Sequence, residues 1–408
     1  MRRVLVAALV LAALPSCGTG DSGRDAVTLW MYPVIENQAL SEEFWRGVET
    51  GFEDRYGVDL RVELQPWKGR EEKLGAALMS GSGPDVVLLQ PDMIPQYVDQ
   101  GAIQPVGDVV TGGERTVRPA AVDAVSVRGQ VYGVPLYQTV TTTVYNRKLF
   151  AEAGITDLPR TWDEVRAAAP KLAARGVPVL DYSGSTEVTL NLTFYPLLWQ
   201  AGGTVFSEDG RRSAFHSPEG LAALSFLVDL KNAGGLPEDA ATKRSGLANE
   251  PVVTGGAAMA HAATAAQARS VIAGIGEADA VVGAPLRGTV QATFGMPGAA
   301  SLLRAAKNQE AARHLLTYLA SPAVVEELCA RSGYFEPWSD AAPAPADPVD
   351  RTFAEALPFA RSGDAHPQAR RVMKLLAPHL QAALLGRATP EQALASAAAE
   401  VDALLGRG

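Results

Sequence analysis

Aromatic and polar side chains occur together in segments that follow apolar, strand-like runs. Three such segments are Tyr32–Asn37, Pro66–Gly69 and Gln90–Met93. A planar ring can cover the apolar C–H face of a small molecule, while carboxylates and amides make paired hydrogen bonds to neighbouring hydroxyls. These residue types therefore suit the binding of a hydroxyl-rich ligand. The candidate binding residues are Tyr32, Glu36, Trp67, Gln90, Asp92, Tyr137, Gln138, Asn191, Trp199, Phe294, Glu336 and Trp338.

Motifs of enzyme chemistry are weak by comparison. The five histidines have no metal-binding spacing, and neither cysteine belongs to a C-x-x-C pair. The glycines before Pro84 end a helix and do not form a phosphate-binding loop. No G-x-S-x-G sequence occurs. Composition still leaves a glycosidase open, because 45 carboxylates supply acid pairs. The sequence predicts neither a metal site nor a cofactor.

The N-terminus has the organisation of an export signal. Arg2 and Arg3 precede an apolar run over 4–14, and Cys17 follows it. The run is far shorter than the ~20 apolar residues of a membrane-spanning helix, and its flanks are typical of a secretory signal. Cys17 and the small polar residues after it resemble a bacterial lipobox, although Pro15 departs from that pattern. The resemblance implies cleavage before Cys17 and a lipid on its sulfur; the alternative is an ordinary signal peptide with a chance cysteine.

The remaining composition predicts an exported, folded body. With 408 residues and 47% apolar content, the chain is long enough for two hydrophobic cores. The formal charge of -9 and the lack of a Lys/Arg stripe give no general attraction for nucleic acid or anionic lipid. If Cys17 is lipidated, Cys329 has no disulfide partner, and its helical surroundings favour a small buried side chain.

Strands and helices alternate over the first ninety residues. Val27–Met31, Asp59–Leu64 and Asp85–Leu89 read as strands, Ser41 as a helix start and Glu71–Met79 as a helix. This β-α-β-α-β order predicts a largely parallel sheet covered by helices. In such sheets ligands bind beyond the carboxyl ends of the strands.

The alternation resumes after residue 140. Thr141–Tyr145 is strand-like, and Thr161 with Glu164 forms a capping box that begins a helix. Pro at the first helical position indicates further helix starts. These starts follow Ser217, Ser321 and Thr389.

Several segments, in a fixed order along nearly the whole mature chain, are similar to those of one family. They are LGAALMSGSGPDVVLLQPD, YVDQGAIQPV, VYGVPLYQ, VYNRKLFAEAGI, PRTWDEV, WQAGGTVF, SPEGLAAL, GGAAMA and AAKNQEAARHLLTYLASP. Together they resemble the extracellular solute-binding proteins of the sugar-binding class, which are receptors of ABC importers. Each segment alone is weakly specific, and their joint order carries the resemblance.

The resemblance implies an α/β, two-lobed fold of the periplasmic-binding-protein type II kind. Each lobe is expected to contain a mostly parallel sheet flanked by helices, and several strands are expected to form a hinge. The implied divisions are a signal peptide over 1–16, a lipid-attached tether over 17–26, an N-terminal lobe over 27–134 with 295–335, a C-terminal lobe over 138–292 with 339–408, and hinge segments near 135–140, 292–295 and 335–339.

The resemblance also ranks the candidate ligand residues. Asp92 matches a ligand-binding carboxylate of maltodextrin-binding relatives, whereas Leu89 stands where family receptors often carry a stacking aromatic. Asn191 could instead cap a helix, and Glu36 and Gln138 could be solvated loop residues.

Each of these aromatic side chains could pack in the hydrophobic core instead of binding a ligand. Trp30 belongs to a strand, which favours the core. Trp199, on a helical face before two glycines, fits core and cleft equally. Trp67 in a polar loop, and Tyr137 and Trp338 beside the implied hinge, favour exposure to a ligand cleft.

The expected function is a lipid-anchored, non-catalytic carbohydrate receptor at the outer face of the cell membrane. It would act as a monomer and deliver its ligand to the transmembrane subunits of an ABC permease. One alternative keeps the fold and binds a polyol, amino sugar or glycerophosphodiester. The others are a surface sensor or adhesin and a secreted carbohydrate-active enzyme.

Overall fold

Two separate β-sheets organise the chain. In the computed structural model, which describes residues 26–244, 249–339 and 345–406, five strands form the first sheet and three form the second. The strands are β1 (Val27–Met31), β2 (Leu60–Leu64), β3 (Val86–Leu89), β4 (Ser126–Val127), β5 (Gln130–Val131), β6 (Val134–Gln138), β7 (Thr142–Asn146), β8 (Met259–Ala263), β9 (Ala280–Gly283), β10 (Thr293–Phe294), β11 (Pro297–Leu302) and β12 (Ala360–Arg361).

Helices cover both sheets. They are α1 (Gln38–Tyr56), α2 (Arg70–Ser80), α3 (Ile94–Asp99), α4 (Gly107–Thr111), α5 (Pro119–Ala124), α6 (Arg147–Glu152), α7 (Trp162–Ala173), α8 (Phe194–Gln200), α9 (Pro218–Asn232), α10 (Pro251–Thr254), α11 (Ala265–Ile275), α12 (Gln309–Leu319), α13 (Pro322–Ser332), α14 (Pro348–Ala356), α15 (Ala369–Leu384) and α16 (Pro390–Leu405), with short 3-10 helices at Leu190–Leu192 and Leu357–Phe359. No helix in the described part of the chain has the length and apolar character needed to cross a membrane.

The first sheet is mixed. Its strand order is β2-β1-β3-β11-β6. β1 runs parallel to β2 and β3, as the β-α-β-α-β pattern predicts, while β11 runs antiparallel to both β3 and β6. Helices α1, α12 and α13 pack on one face of this sheet, and α2 and α3 pack on the other. This unit is the first lobe.

The second sheet differs from the prediction. Its order is β8-β7-β9, and β7 is antiparallel to both neighbours, so the expectation of a mostly parallel sheet in each lobe is wrong for the second lobe. Helix α11 connects β8 to β9 so that these two strands point the same way, but β7 lies between them. A run of apolar residues specifies a buried strand without specifying the direction of its neighbours, which is why the pattern could not reveal this.

The core of the second lobe lies among helices. Phe194, Trp199 and Phe226 are buried there, and Trp162 stacks on Phe226 with ring centroids 4.7 Å apart. Helices α15 and α16 pack against each other and against α9 to complete this core.

Helix caps decide where several helices begin. The capping box of Thr161 and Glu164 is present at α7, and Ser217 caps α9. Helix α1 starts at Gln38, because the Asn37 side chain accepts a hydrogen bond from the Leu40 amide at 3.1 Å. The prediction of a start at Ser41 is therefore wrong.

The chain crosses between the lobes in adjacent segments. One crossing joins β6 to β7, and another joins β10 to β11 through Gly295. The Thr139 amide donates to the Met296 carbonyl at 2.9 Å, and the Phe335 amide donates to the Gln138 carbonyl at 3.0 Å, so a third segment lies beside them. A Cβ at position 295 would come within 2.5 Å of the Thr139 carbonyl oxygen, which is why glycine is required there.

Of the two cysteines, one lies among the residues that the structure describes. Cys329 is buried in α13 against the first sheet, as predicted, and burial raises the pKa of its thiol. Cys17 and the rest of the predicted export signal lie outside the described residues.

Candidate functional site

A cavity of about 910 Å³ lies between the two lobes. The first lobe contributes the segment from Trp67 into α2 together with Gln90, and the second lobe contributes Asn191 and the start of α15. Phe294, next to a crossing segment, completes the lining. We call this space the interlobe cavity. Its position beyond the carboxyl ends of β2 and β3 is where a parallel pair of strands places ligand-binding loops.

The first-lobe wall of the interlobe cavity is an aromatic platform. The ring of Trp67 stacks on the ring of Tyr32 at 4.8 Å between centroids, with 18° between the planes. Tyr32 is 1% exposed at the end of β1, and its burial raises the pKa of its phenol. Trp67 remains 40% exposed. The buried tyrosine thus supports one face of the tryptophan, and the remaining surface can receive a ligand.

A smaller apolar space adjoins this platform. It measures about 170 Å³ and shares Trp67, Gln90 and Phe294 with the interlobe cavity. Tyr137 and Tyr334 line it and pack together with centroids 4.9 Å apart. Burial, with a smaller contribution from the charge of Glu36, raises the pKa of Tyr334 to about 12. The phenol is therefore neutral near pH 7 and can serve as a hydrogen-bond donor.

A polar cluster connects the lobes at the base of the cavity. Asp92 follows β3 in the first lobe and is 3% exposed. Its carboxylate accepts a hydrogen bond from Arg370 Nη2 at 3.0 Å and another from Asn191 Nδ2 at 3.2 Å. Both donors belong to the second lobe, so Asp92 holds the lobes together. Its role in accepting ligand hydroxyls stays a prediction.

Two arginines meet at Gln90. Arg70 Nη2 and Arg370 Nη2 both donate to the same Oε1 atom of Gln90. The Arg70 guanidinium also lies 5.2 Å from the ring centroid of Trp67. Burial lowers the pKa of Arg70, and the positive charge of Arg370 lowers it further. The cluster therefore brings two like charges to one neutral acceptor.

Buried polar atoms without partners occur around this cluster. Among the described residues of the second lobe they include Arg370 Nε, Tyr195 Oη and Asp364 Oδ2. Burial raises the pKa of Asp364 to about 6, opposed only partly by the charge of Arg361. The second-lobe side of the site thus keeps hydrogen-bonding capacity that the protein does not use itself.

Seven of the residues predicted from the sequence come together here. They are Tyr32, Trp67, Gln90, Asp92, Tyr137, Asn191 and Phe294. Tyr137 borders the smaller space but is 2% exposed in the first-lobe core, so its expected exposure to the cleft is wrong. Arg70, Arg370 and Tyr334 were missed. Arg70 directly follows the predicted binding segment Pro66–Gly69, whereas Arg370 lies in a helical run in which no local pattern indicates a binding residue.

The remaining predicted residues lie elsewhere. Trp199 is 3% exposed within the second-lobe core, and Trp338 is 3% exposed in the first-lobe core, with the Arg115 guanidinium 4.2 Å from its ring centroid. Placing either ring in the cleft is therefore wrong, because both are buried within the cores of their lobes. Gln138 lines a different cavity, behind the crossing segments.

Two glutamates are also absent from the cavity walls. Glu36 is exposed, and its charge contributes to the raised pKa of Tyr334. Glu336 is half-buried and contacts Arg118 through its backbone carbonyl, with an Nη1 to oxygen distance of 2.7 Å. Neither carboxylate points into the two cavities described above. Within the described residues, no group of three or more His, Cys, Asp or Glu side chains could hold a metal ion.

Comparison with known proteins gives consistent results. The family model described as "Bacterial extracellular solute-binding protein" matches residues 35–326. A relative from Brucella abortus (strain 2308), named only as a binding protein, is 25% identical and covers 98% of this chain and 97% of its own length. The diacetylchitobiose binding protein DasA of Streptomyces coelicolor is 28% identical over 40% of this chain and 41% of the relative.

Solved structures share the two-lobed fold. An ABC transporter solute-binding protein from Thermotoga lettingae, bound to α-D-tagatose, is 26% identical with a TM-score of 0.79, covering 93% of this chain and 100% of the other. The GacH receptor of Streptomyces glaucescens, solved free and with acarbose, is 20% identical with a TM-score of 0.79, covering 93% and 98%. The second likeness is evidence for the fold alone.

Proposed function

Because the chain belongs to the bacterial extracellular solute-binding protein family, we propose that it is a carbohydrate-binding receptor of an ABC importer. The observation that carries this proposal is the supported tryptophan at the interlobe cavity. Trp67 rests on Tyr32, keeps 40% of its surface exposed and lines the cavity beside hydrogen-bonding side chains. A sugar ring needs this combination, because one of its faces is apolar and its edge carries hydroxyls.

The ligands named for similar proteins support the carbohydrate class. Diacetylchitobiose is named for the Streptomyces coelicolor relative, and α-D-tagatose was bound in the similar structure from Thermotoga lettingae. These are different carbohydrates, so they support the class of ligand for this chain and not one particular sugar. The relatives are binding proteins, which supports a receptor without catalytic activity.

Lobe closure is the mechanism of capture that we propose. The lobes would comprise 27–134 with 295–335 and 138–292 with 339–408, moving about segments near 135–140, 292–295 and 335–339. A ligand between Trp67 and Asn191 touches both lobes, so it binds the closed form better than the open form and shifts the population toward closure. The permease would then recognise the closed receptor.

The location that we propose is the outer face of the membrane. A lipid on Cys17 would hold the receptor there after removal of residues 1–16, with 17–26 as a tether. Replacing Cys17 with Ser should move the protein from the membrane fraction into the medium. Failure of labelled fatty acid to enter the wild-type protein would contradict the lipid anchor and leave an ordinary secreted receptor.

A thermal-shift screen over mono-, di- and oligosaccharides tests the function. A ligand present at about 100 times its dissociation constant should stabilise the folded state by ~2.7 kcal/mol. The Trp67→Ala variant, if tenfold weaker in binding, should show about half of this stabilisation while melting normally without ligand. Formation of a hydrolysis product from any stabilising oligosaccharide would contradict a receptor and favour a carbohydrate-active enzyme.

A further inference from the structure

The two arginines of the interlobe cavity come from different lobes. Arg70 is the first residue of α2 in the first lobe, and Arg370 lies near the start of α15 in the second lobe. Both donate to one oxygen, Gln90 Oε1, so their guanidinium groups lie side by side. Gln90 is neutral and cannot offset two positive charges. The two charges repel each other locally, while the pair of Arg370 with Asp92 holds the lobes in contact.

The acidic groups nearby are engaged by other cations. Asp92 pairs with Arg370 at 3.0 Å, and Glu71 lies 3.3 Å from Lys374 Nζ and 3.7 Å from Arg370 Nη1. Among the residues that the structure describes, no carboxylate forms an ion pair with Arg70. Its single side-chain hydrogen bond there is the one shared at Gln90. Arg70 thus has no ion pair of its own, and the negative charges of Asp92 and Glu71 act on it only at longer range.

Unused donors point to what would complete the cluster. A guanidinium has five N–H donors in a planar fork that matches a carboxylate or a phosphate group. Arg70 uses one of them, and Arg370 Nε is buried without a partner. The side chain of Arg370 is only 11% exposed, so water has limited access to it. A planar or tetrahedral oxyanion would satisfy donors from both lobes at once.

The cluster lies next to the aromatic platform. Arg70 stands 5.2 Å from the Trp67 ring and 5.7 Å from the Tyr32 ring, measured from its guanidinium carbon. A sugar ring stacked on Trp67 would therefore bring a substituent at its edge to the arginines. A carbohydrate with a charged substituent would fill both parts of the cavity.

We propose that the bound carbohydrate is anionic, with a carboxylate or phosphate group held between Arg70 and Arg370. This inference rests on the proposed carbohydrate-binding function and adds the chemical class of the sugar. The oxyanion would take up the unused donors of Arg70 and Arg370, offset part of their mutual repulsion, and bond to both lobes. It therefore couples recognition of charge to closure of the cleft.

Calorimetric titration of matched sugar pairs tests the proposal. The pairs are galacturonate with galactose, glucuronate with glucose, and glucose 6-phosphate with glucose. The two uronate pairs are also tested as di- and trisaccharides. Inorganic phosphate is a separate probe. The acidic member of at least one pair should bind tenfold or more tightly than its neutral counterpart. Its affinity should fall as salt rises, because part of the attraction is screened. The uronate and phosphate arms distinguish the two sources of the oxyanion.

Arg70→Gln is the decisive variant. It should reduce the preference for the acidic member tenfold or more and leave the melting temperature close to that of the wild type. Arg46→Gln, on the exposed face of α1, removes the same charge far from the cavity and should leave the preference unchanged. Arg70→Lys keeps the charge without the planar fork and should give an intermediate preference.

Three results decide between the possibilities. Equal weakening of acidic and neutral sugars in Arg70→Gln would overturn the proposal, because Arg70 would then bind hydroxyls. Binding of neutral sugars with no binding of any acidic sugar or inorganic phosphate would overturn it as well, while the carbohydrate receptor would stand. Binding of inorganic phosphate that depends on Arg70, with no sugar bound, would support the oxyanion site and overturn the carbohydrate function.

Discussion

The tryptophans of this protein show how the exposed fraction of a side chain separates two roles. Trp67 keeps 40% of its surface exposed although it stacks on Tyr32, whereas Trp338 is 3% exposed among the apolar residues of the first lobe. Removing a buried aromatic ring leaves a cavity in the core. Removing an exposed ring takes away contact surface for a ligand.

Trp67→Ala is expected to weaken carbohydrate binding about tenfold or more, which is 1.4 kcal/mol or more, and to leave the melting temperature nearly unchanged. Trp338→Ala, the matched control, should lower the free energy of unfolding by about 3–5 kcal/mol. Calorimetry and thermal melting by circular dichroism measure the two effects. A Trp67 variant with wild-type affinity and a melting temperature several degrees lower would assign that ring to packing.

The buried carboxyl of Asp364 makes the free energy of unfolding depend on pH. Burial raises the pKa of its carboxyl to about 6, above the value of about 3.9 for an unfolded chain. The folded state therefore favours the protonated form, and this group lowers stability as pH rises from about 4 to about 6. Asp364→Asn should match the wild type in melting temperature near pH 4 and exceed it at pH 7. Equal melting temperatures at both pH values would contradict a strained buried charge.

The residues of the site were predictable from the sequence where they follow strands. Tyr32, Trp67 and Asp92 stand in such segments. In the structure Trp67 lines the interlobe cavity, Tyr32 stacks behind it, and Asp92 bonds to the lining residue Asn191. Arg370 was not predictable, since it meets Asp92 across 278 positions of the chain. The prediction that Trp338 faces the cleft was wrong, because residue type and proximity to a crossing segment do not specify which way a ring points.

At the scale of elements, local chemistry located most helices and strands. The Thr161 capping box and the prolines after Ser217 and Thr389 marked helix starts that the structure contains. The direction of the second-sheet strands was not predictable, because it depends on β7 lying between two strands that α11 connects. Pairing between distant strands is decided by the packing of the whole lobe.

Gly298 in β11 tests how closely neighbouring strands pack. A Cβ at this position would lie 2.0 Å from the ring of Tyr137 on β6. Gly298→Ala should lower the free energy of unfolding by at least ~1–3 kcal/mol, the usual cost of overpacking. Gly47→Ala in α1, where no atom lies within 4 Å of the added Cβ, should instead be neutral or raise it by up to about 1 kcal/mol. Urea unfolding measures both, and similar values for the two variants would contradict the close approach.

For the whole molecule, the contacts of Asp92 with Arg370 and Asn191 make closure the central motion to test. Saturation with a confirmed ligand should reduce the radius of gyration measured by small-angle X-ray scattering. Without ligand, Arg370→Gln should have a larger radius than the wild type, since it removes a bond between lobes. Arg128→Gln, which loses an ion pair with Asp99 inside the first lobe, should not. An unchanged radius at saturation would indicate a rigid binding module.

β11 joins the first sheet only after the chain has passed through most of the second lobe. It separates β3 from β6 and pairs Leu88 with Ala300. A nascent chain that ends before residue 297 therefore leaves two neighbouring strands with open hydrogen-bonding edges, which are sites for aggregation. Contacts between such distant residues also slow folding, because a long loop must close before they form. The first lobe thus begins at the N-terminus, yet its sheet is completed late. A chain that terminates within the second lobe therefore leaves the first lobe incomplete as well.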